Sequence, residues 1–476
     1  MALKDDILGG VAWKSVARIT GQTLSFLFSI LLARLLTPEA FGLFGMILVF
    51  TGFAEKFGNL GFGAALIQRE TIEEAHRSSV FWLNLGIGIL LAGVIAASSP
   101  LIAGFFGAPK LVPLTIVVAF NFILYALVIV QKSLQNRQMN FQNLAYVEFA
   151  AIFVSGAVGV TMALTGFGVW SLVGKTMTAT ATTAVTLWIV SDWKPKAMFD
   201  LSAVKELFSF SAHTFGFEAY NYWAGKADDL LVGRFISASA LGVYTRAYST
   251  MLMPVTQVTK IQDDPDRVRR LYLRAIAAIG LITMPLMTVL FVVADSFVIG
   301  VYGPQWVEVI PVLKILCGAG LILPIASTVG WIYKSQGRAD WQFYWGLFGT
   351  TMTLIATVLG IWVGTVEAVA ASYVIAKVVL VPGSYYFAGK LIGMKVREVP
   401  KALAGVAVCA GLAAGMTYLL GQSIPQQWPH WLQFATQAPF GMTCYLAFVH
   451  LFAIDAYEDV RTEALEQIDK LGSDDE

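Results

Sequence analysis

The sequence predicts an all-α polytopic membrane protein of about 14 transmembrane helices, arranged as two six-helix repeats plus two C-terminal helices. Three observations carry this. The 476 residues are 57% hydrophobic and only 13% charged, with a mean hydropathy of +0.69; a soluble domain carries about 25% charged residues. Apolar runs of about 20 residues, the length that crosses the hydrocarbon core, recur along the whole chain. The chain also matches itself at a nearly fixed offset. The composition excludes a soluble enzyme and a disordered chain. With 32 Lys and Arg against 31 Asp and Glu, nucleic acid is not an expected partner; the lipid bilayer is.

The runs lie near 15–36, 40–63, 79–99, 112–131, 145–164 and 168–190, then 208–233, 241–260, 273–293, 306–332, 342–362 and 367–388, and finally 402–421 and 436–454. They imply an N-terminal half over 1–200, a C-terminal half over 201–392, two additional helices over 393–454 and an exposed acidic tail over 455–476. Lys4, Asp5 and Asp6 lead into the first run without a small-residue cleavage site, so no removable signal peptide is expected. With the N-terminus inside, the inner connections hold 20 Lys and Arg, Arg267, Arg269, Arg270, Lys395 and Arg397 among them. The outer turns hold only Arg34, Lys110, Arg234 and Arg246. The positive-inside rule then puts both termini in the cytoplasm and requires an even number of spans. The outer turns, such as Thr165-Gly166-Phe167-Gly168, are short.

The repeat appears at an offset of 200. Leu31, Arg34, Ala40 and Gly42 lie over Leu231, Arg234, Ala240 and Gly242. Further along, Gly104 and Gly107 lie over Gly300 and Gly303, and Gln135 and Arg137 over Gln336 and Arg338. Six spans per repeat make the halves parallel, a transporter architecture with the substrate site expected between them. A duplicated scaffold with no site is the plainer alternative.

Ionisable groups inside spans are costly, about 2.5–3.5 kcal/mol at the bilayer centre on insertion scales, and so normally face a cavity or a partner. In the first span Lys14, Arg18 and Gln22 are spaced i, i+4, i+8, which makes one cationic face suited to a phosphate-bearing ligand. Snorkelling by Lys14 and an ion pair for Arg18 would also explain them. Glu148 and Lys175 lie in the fifth and sixth spans. The seventh is the most polar, with His213, Glu218, Asn221, Lys226, Asp228 and Asp229, and is expected to face a wet interior. Asn221 and Asp228 share a face, whereas Lys226 is expected to pair with an Asp. His213 could couple transport to protons or simply hydrogen-bond a neighbour. Lys314 and Lys377 complete the set, and Lys175 and Lys377 occupy similar places in the two halves.

The remaining signals are structural. Cys317, Cys409 and Cys444 sit in apolar runs without metal or disulfide spacing and read as small buried hydrophobes. Trp82, Trp170, Trp193, Trp306, Trp341, Trp428 and Trp431 read as interfacial anchors. No phosphate loop, HExxH, Ser/His/Asp or paired-carboxylate arrangement occurs, so neither a catalytic residue, a metal nor a cofactor is expected.

Leu32-Ala33-Arg34-Leu35-Leu36-Thr37-Pro38-Glu39-Ala40-Phe41-Gly42 resembles the first outer turn of bacterial polysaccharide flippases of the multidrug/oligosaccharidyl-lipid/polysaccharide exporter superfamily. Asn221-Tyr222-Trp223, Ala227 through Arg234 and Leu241-Gly242-Val243-Tyr244 resemble its second-half signature, and Gln262-Asp263-Asp264-Pro265 fits as well. The likeness spans nearly the whole chain. It implies a transporter, not an enzyme, of polyprenyl-diphosphate-linked oligosaccharide repeat units for lipopolysaccharide or exopolysaccharide. It also implies a bacterial inner-membrane location and polysaccharide polymerase machinery as a partner. The chain departs from the family where members carry a longer stretch with a Phe-Pro. Here Val258-Thr259-Lys260 runs straight into Ile261-Gln262-Asp263, and the repeat offset falls from 200 to 196. A multidrug exporter of the same fold would favour an acidic cavity. A membrane glycan polymerase or ligase would need a larger outer loop than these turns supply.

Overall fold

A computed structural model of the chain describes residues 20–59, 62–69, 71–202, 204–205, 222–223, 225–252, 265–458 and 461–462. Among the described residues every regular element is helical, and the chain divides into two compact units, Met1–Gly242 and Val243–Glu476.

The first unit contains α1 (Thr20–Leu35), α2 (Pro38–Asn59), α3 (Phe62–Gln68), α4 (Glu74–Ala97), α5 (Ser99–Phe106), α6 (Leu111–Ala119), α7 (Asn121–Arg137), α8 (Phe141–Leu164), α9 (Trp170–Val190) and α10 (225–235). It ends within α11 (Ala238–Leu252). The second unit continues with α12 (Pro265–Val292), α13 (Ala294–Phe297), α14 (Val309–Ala326), α15 (Val329–Ser335), α16 (Ala339–Val363), α17 (Val366–Leu391), α18 (Glu398–Ser423) and α19 (His430–Leu451).

Among the described residues eight helical stretches, α4, α6–α7, α8, α12, α14–α15, α16, α17 and α18, are long and apolar enough to cross a membrane. α1 and Pro38–Phe53 of α2 are shorter apolar helices. α9 and α19, at 21 and 22 residues, fall on the sixth and fourteenth runs. The runs near 15–36, 40–63, 208–233 and 241–260 lie partly outside the described residues, as does the acidic tail, and the turn before Pro265 lies wholly outside them. Two runs are broken rather than continuous. The fourth breaks at Phe120 between α6 and α7, where the bonds tighten to Phe120–Val117 and Ile123–Phe120. The tenth breaks at Ser327-Thr328. There the Ser327 hydroxyl donates to the Pro324 carbonyl at 2.8 Å and the Thr328 hydroxyl to that of Ile325 at 2.6 Å, replacing backbone partners with side-chain ones.

The repeat has structural counterparts. Thr37 and Ser237, 200 residues apart, cap α2 and α11: Ala40 N–H donates to Thr37 Oγ1 at 3.4 Å and Ala240 N–H to Ser237 Oγ at 3.0 Å, the ordinary N-cap role of hydroxyl residues. The starts of these two helices meet through their glycines. A Cβ on Gly42 would stand 1.6 Å from the Ala238 carbonyl oxygen, and one on Gly242 would stand 2.0 Å from that of Pro38. Gly107 and Gly303 both have positive φ, +66° and +110°, which suits glycine at each turn.

Each unit has its own core. In the first, Phe62, Leu66, Val80, Phe81, Val130 and Leu134 pack with Trp188 and Trp193. In the second, Tyr272, Ile276, Ile332, Tyr333, Tyr385 and Leu403 form one cluster and Val406, Cys409, Ala413, Tyr445 and Val449 another. Cys317 and Cys409 are buried and Cys444 half-buried, all as free thiols. Trp306 departs from the anchor expectation. It is fully buried, its ring centre lies 6.4 Å from that of Tyr302, and the Arg246 guanidinium stacks 4.1 Å above Tyr302. An aromatic at a helix end serves the core when the turn that leads into it folds inward, as the positive φ of Gly303 allows here.

Candidate functional site

The site grows from α8, whose small residues let its neighbours approach closely. A Cβ on Gly156 would fall 2.2 Å from the Phe28 ring of α1, and one on Gly159 would fall 3.0 Å from Lys175 Cβ of α9. α1 and α9 are thereby pressed against α8, as small interfacial residues permit in membranes. Beside this contact opens a cavity of about 640 Å3, within the first unit.

Its lining follows helical spacing. α9 contributes Lys175, Ala179, Thr183 and Leu187 at i, i+4, i+8, i+12; α8 contributes Glu148, Ile152 and Ser155; α7 contributes Lys132 and Asn136; α1 contributes Ser25 and Phe28. Two lysines against one carboxylate give the wall a cationic balance, and the hydroxyls and the amide add neutral hydrogen-bonding groups. Lys175 is half-buried, whereas Lys132 and Glu148 are exposed. Such a wall can hold an anionic group, with a cation and neutral donors acting on it together.

Of the residues expected from the sequence, the structure brings Glu148 and Lys175 to this cavity. Gln22 is exposed on α1, one turn before Ser25. Lys14, Arg18, His213, Glu218 and Asn221 lie outside the described residues. On α10, Lys226 Nζ donates to Asp229 Oδ2 at 2.7 Å, with the two side chains 42% and 11% exposed. Half-buried Asp228 accepts the Asp229 backbone N–H at 3.0 Å. The signature residues before them anchor α10: the Tyr222 hydroxyl donates to the Val49 carbonyl at 2.8 Å, and the Trp223 ring centre lies 4.9 Å from that of Phe53. In the second unit, Lys314 pairs with Asp295, and Lys377 Nζ donates to Thr353 Oγ1 at 3.1 Å. Sequence reading missed Lys132, Asn136, Ser155 and Thr183 as lining residues. Ser155 lies seven residues from Glu148 and Thr183 eight from Lys175, two turns along the same helix faces, and that spacing was the available signal; Lys132 and Asn136, on α7, had none.

Long apolar helices in two units, with charged side chains turned onto an internal cavity, define a multi-pass membrane protein of transporter build. In fold it is similar to a solved structure of the lipid II flippase MurJ in an inward closed conformation. The match has a TM-score of 0.75 over 94% of this chain and 99% of that one, at 16% identity. An inward-facing multidrug resistance MATE family transporter matches at a TM-score of 0.51 and 15% identity, over 78% and 94% of the two chains. The chain belongs to the Polysaccharide biosynthesis protein family, which it matches over residues 31–311. Among its relatives are the teichuronic acid biosynthesis protein TuaB of Bacillus subtilis, 28% identical over 79% of this chain and 81% of that protein, and the lipopolysaccharide biosynthesis protein WzxC of Escherichia coli, 24% identical over 81% of each. The succinoglycan biosynthesis transport protein ExoT of Rhizobium meliloti is 27% identical over 79% and 78%.

Proposed function

We propose that this protein flips polyprenyl-diphosphate-linked oligosaccharide repeat units across the cytoplasmic membrane of a bacterium, by alternating access, for lipopolysaccharide or exopolysaccharide biosynthesis. The observation that carries this reading is the cationic cavity between α1, α7, α8 and α9. Lys132 and Lys175 suit a diphosphate, and Asn136, Ser25, Ser155 and Thr183 suit sugar hydroxyls. A multidrug exporter taking cationic compounds would be opposed by the same lysines. Lys14, Arg18 and Gln22 extend the cationic face along the first helix, and Asn221 and Asp228 serve the substrate from the seventh. The protein acts as a transporter and hands its cargo to polymerase machinery on the outer side.

Proteoliposomes containing defined lipid-linked glycans test it. Head groups should become accessible to an external glycosidase only when the protein is present, and parallel runs with imposed proton or sodium gradients identify the coupling ion. Export of a cationic dye with no movement of the glycolipid would overturn the reading. Both termini belong in the cytoplasm. Cysteine labelling should find Lys196 and Lys395 inside and Gly166 and Gln427 outside, and finding Lys395 and Gln427 on one side would break the topology.

A further inference from the structure

A second cavity, of about 400 Å3, lies wholly in the other unit, where the ends of α12 and α18 meet the start of α19. Its wall combines Asp295, Tyr418, Gln422, Gln426, Gln433 and Gln437 with the apolar Val292 and Ile424. Most of these side chains have partners. Gln422 Nε2 donates to the Tyr418 hydroxyl at 2.8 Å, Gln433 Nε2 donates to the Trp428 carbonyl at 2.9 Å, and Asp295 is paired with Lys314. Gln437 differs. It is 7% exposed, lies against Gly421, and makes no hydrogen bond to a described residue. Its carboxamide lines the cavity and is left to hydrogen-bond whatever enters there.

The chemistry of the wall selects a ligand class. Carboxamides pair a donor with an acceptor, which matches adjacent hydroxyls; the carboxylate accepts from two hydroxyls, and the phenol ring offers a face to a ring of C–H groups. A lipid tail would bury four carboxamides and a carboxylate, and none of the lining residues is a cation for a phosphate. We propose that this cavity binds pyranose sugars. The volume is in the range of small-ligand sites, about 300–1,000 Å3. It lies at the opposite end of α18 from the basic turn Lys395 to Lys401, which the charge bias assigns to the cytoplasm. The cavity therefore receives sugar on the outer side. This inference rests on the proposed reading that the protein moves a lipid-linked glycan.

Photo-crosslinking of the full chain in its native host tests it. Benzoylphenylalanine placed at the exposed rim residue Gln426 should, on irradiation, yield an adduct that reacts with hydrazide after periodate oxidation. The same probe at Trp362, 87% exposed on α16, should yield none. Gln437→Leu should lower the adduct yield about fivefold, as loss of one ligand hydrogen bond does; Gln422→Leu, at an exposed position, should also lower it and guards against misfolding. A single discrete adduct identifies the lipid-linked unit as the source, and a ladder identifies the finished polymer. A yield unchanged in both variants overturns the site, as does the lack of a glycan adduct in cells that still display polysaccharide. Normal surface polysaccharide after deletion of the whole chain would instead overturn the proposed function.

Discussion

Lys175 on α9 and Lys377 on α17 sit in the sixth helix of each repeat, yet their surroundings differ. Lys175 lines the 640 Å3 cavity of the first unit. Lys377 is bracketed by its own unit: its ammonium donates to Thr353 and lies 5.1 Å from the centre of the Tyr373 ring. The residue one turn earlier differs as well. α17 carries Tyr373 there, which also reaches Tyr248 at 3.4 Å, whereas α9 carries the small, buried Ser171. A bulky aromatic stands one turn before one lysine and a serine before the other, so neighbours of different size accompany the lysine that lines the cavity and the one that does not.

Four substitutions sharpen or break this comparison. The largest transport effect is expected for Lys175→Met. Loss of a charge-assisted contact to the diphosphate should lower glycolipid flipping about thirtyfold at an unchanged melting temperature. A melting temperature that falls while flipping persists would place Lys175 with Lys377 as a structural cation. Next comes Lys226→Met, which strands Asp229 in a buried position. It should cost about 2 kcal/mol of stability, less than the ~3–5 of a fully buried pair because Lys226 is 42% exposed, and thermal melts in detergent read it. Asp228→Asn should keep stability and impair flipping, and the reverse outcome would exchange the two roles. The smallest effect is expected for Lys377→Met, about 1 kcal/mol from one hydrogen bond and one ring contact, with flipping near normal. A transport loss equal to that of Lys175→Met would erase the asymmetry.

Much of the architecture was legible in the sequence because hydropathy over 20 residues reports directly on the solvent a helix meets. The runs found by composition coincide with α4, α8, α12, α16, α17 and α18 to within several residues. The repeat was legible through glycine, whose positive φ at Gly107 and Gly303 no other residue adopts so readily. The breaks at Phe120 and Ser327 were not, since one or two tightened residues do not disturb an apolar average. Trp306 was misread because an end position looks alike whether the turn leading into it directs it inward or leaves it in the interface. The site was half legible. Glu148 and Lys175 stood out as charges in lipid, but Lys132 served only as an orienting charge at a helix end. Whether such a residue also faces a cavity depends on how its helix is rotated against α8 and α9, which one sequence does not specify.

The reciprocal contact of Gly42 with Ala238 and of Gly242 with Pro38 has the form of an isologous interface, in which each surface touches its own copy. Both obstacles are main-chain carbonyls rather than flexible side chains, so no rotamer change nearby relieves either one. A methyl group at Gly42 or at Gly242 would have to push the two helix starts apart, and the close approach therefore depends on two codons at once.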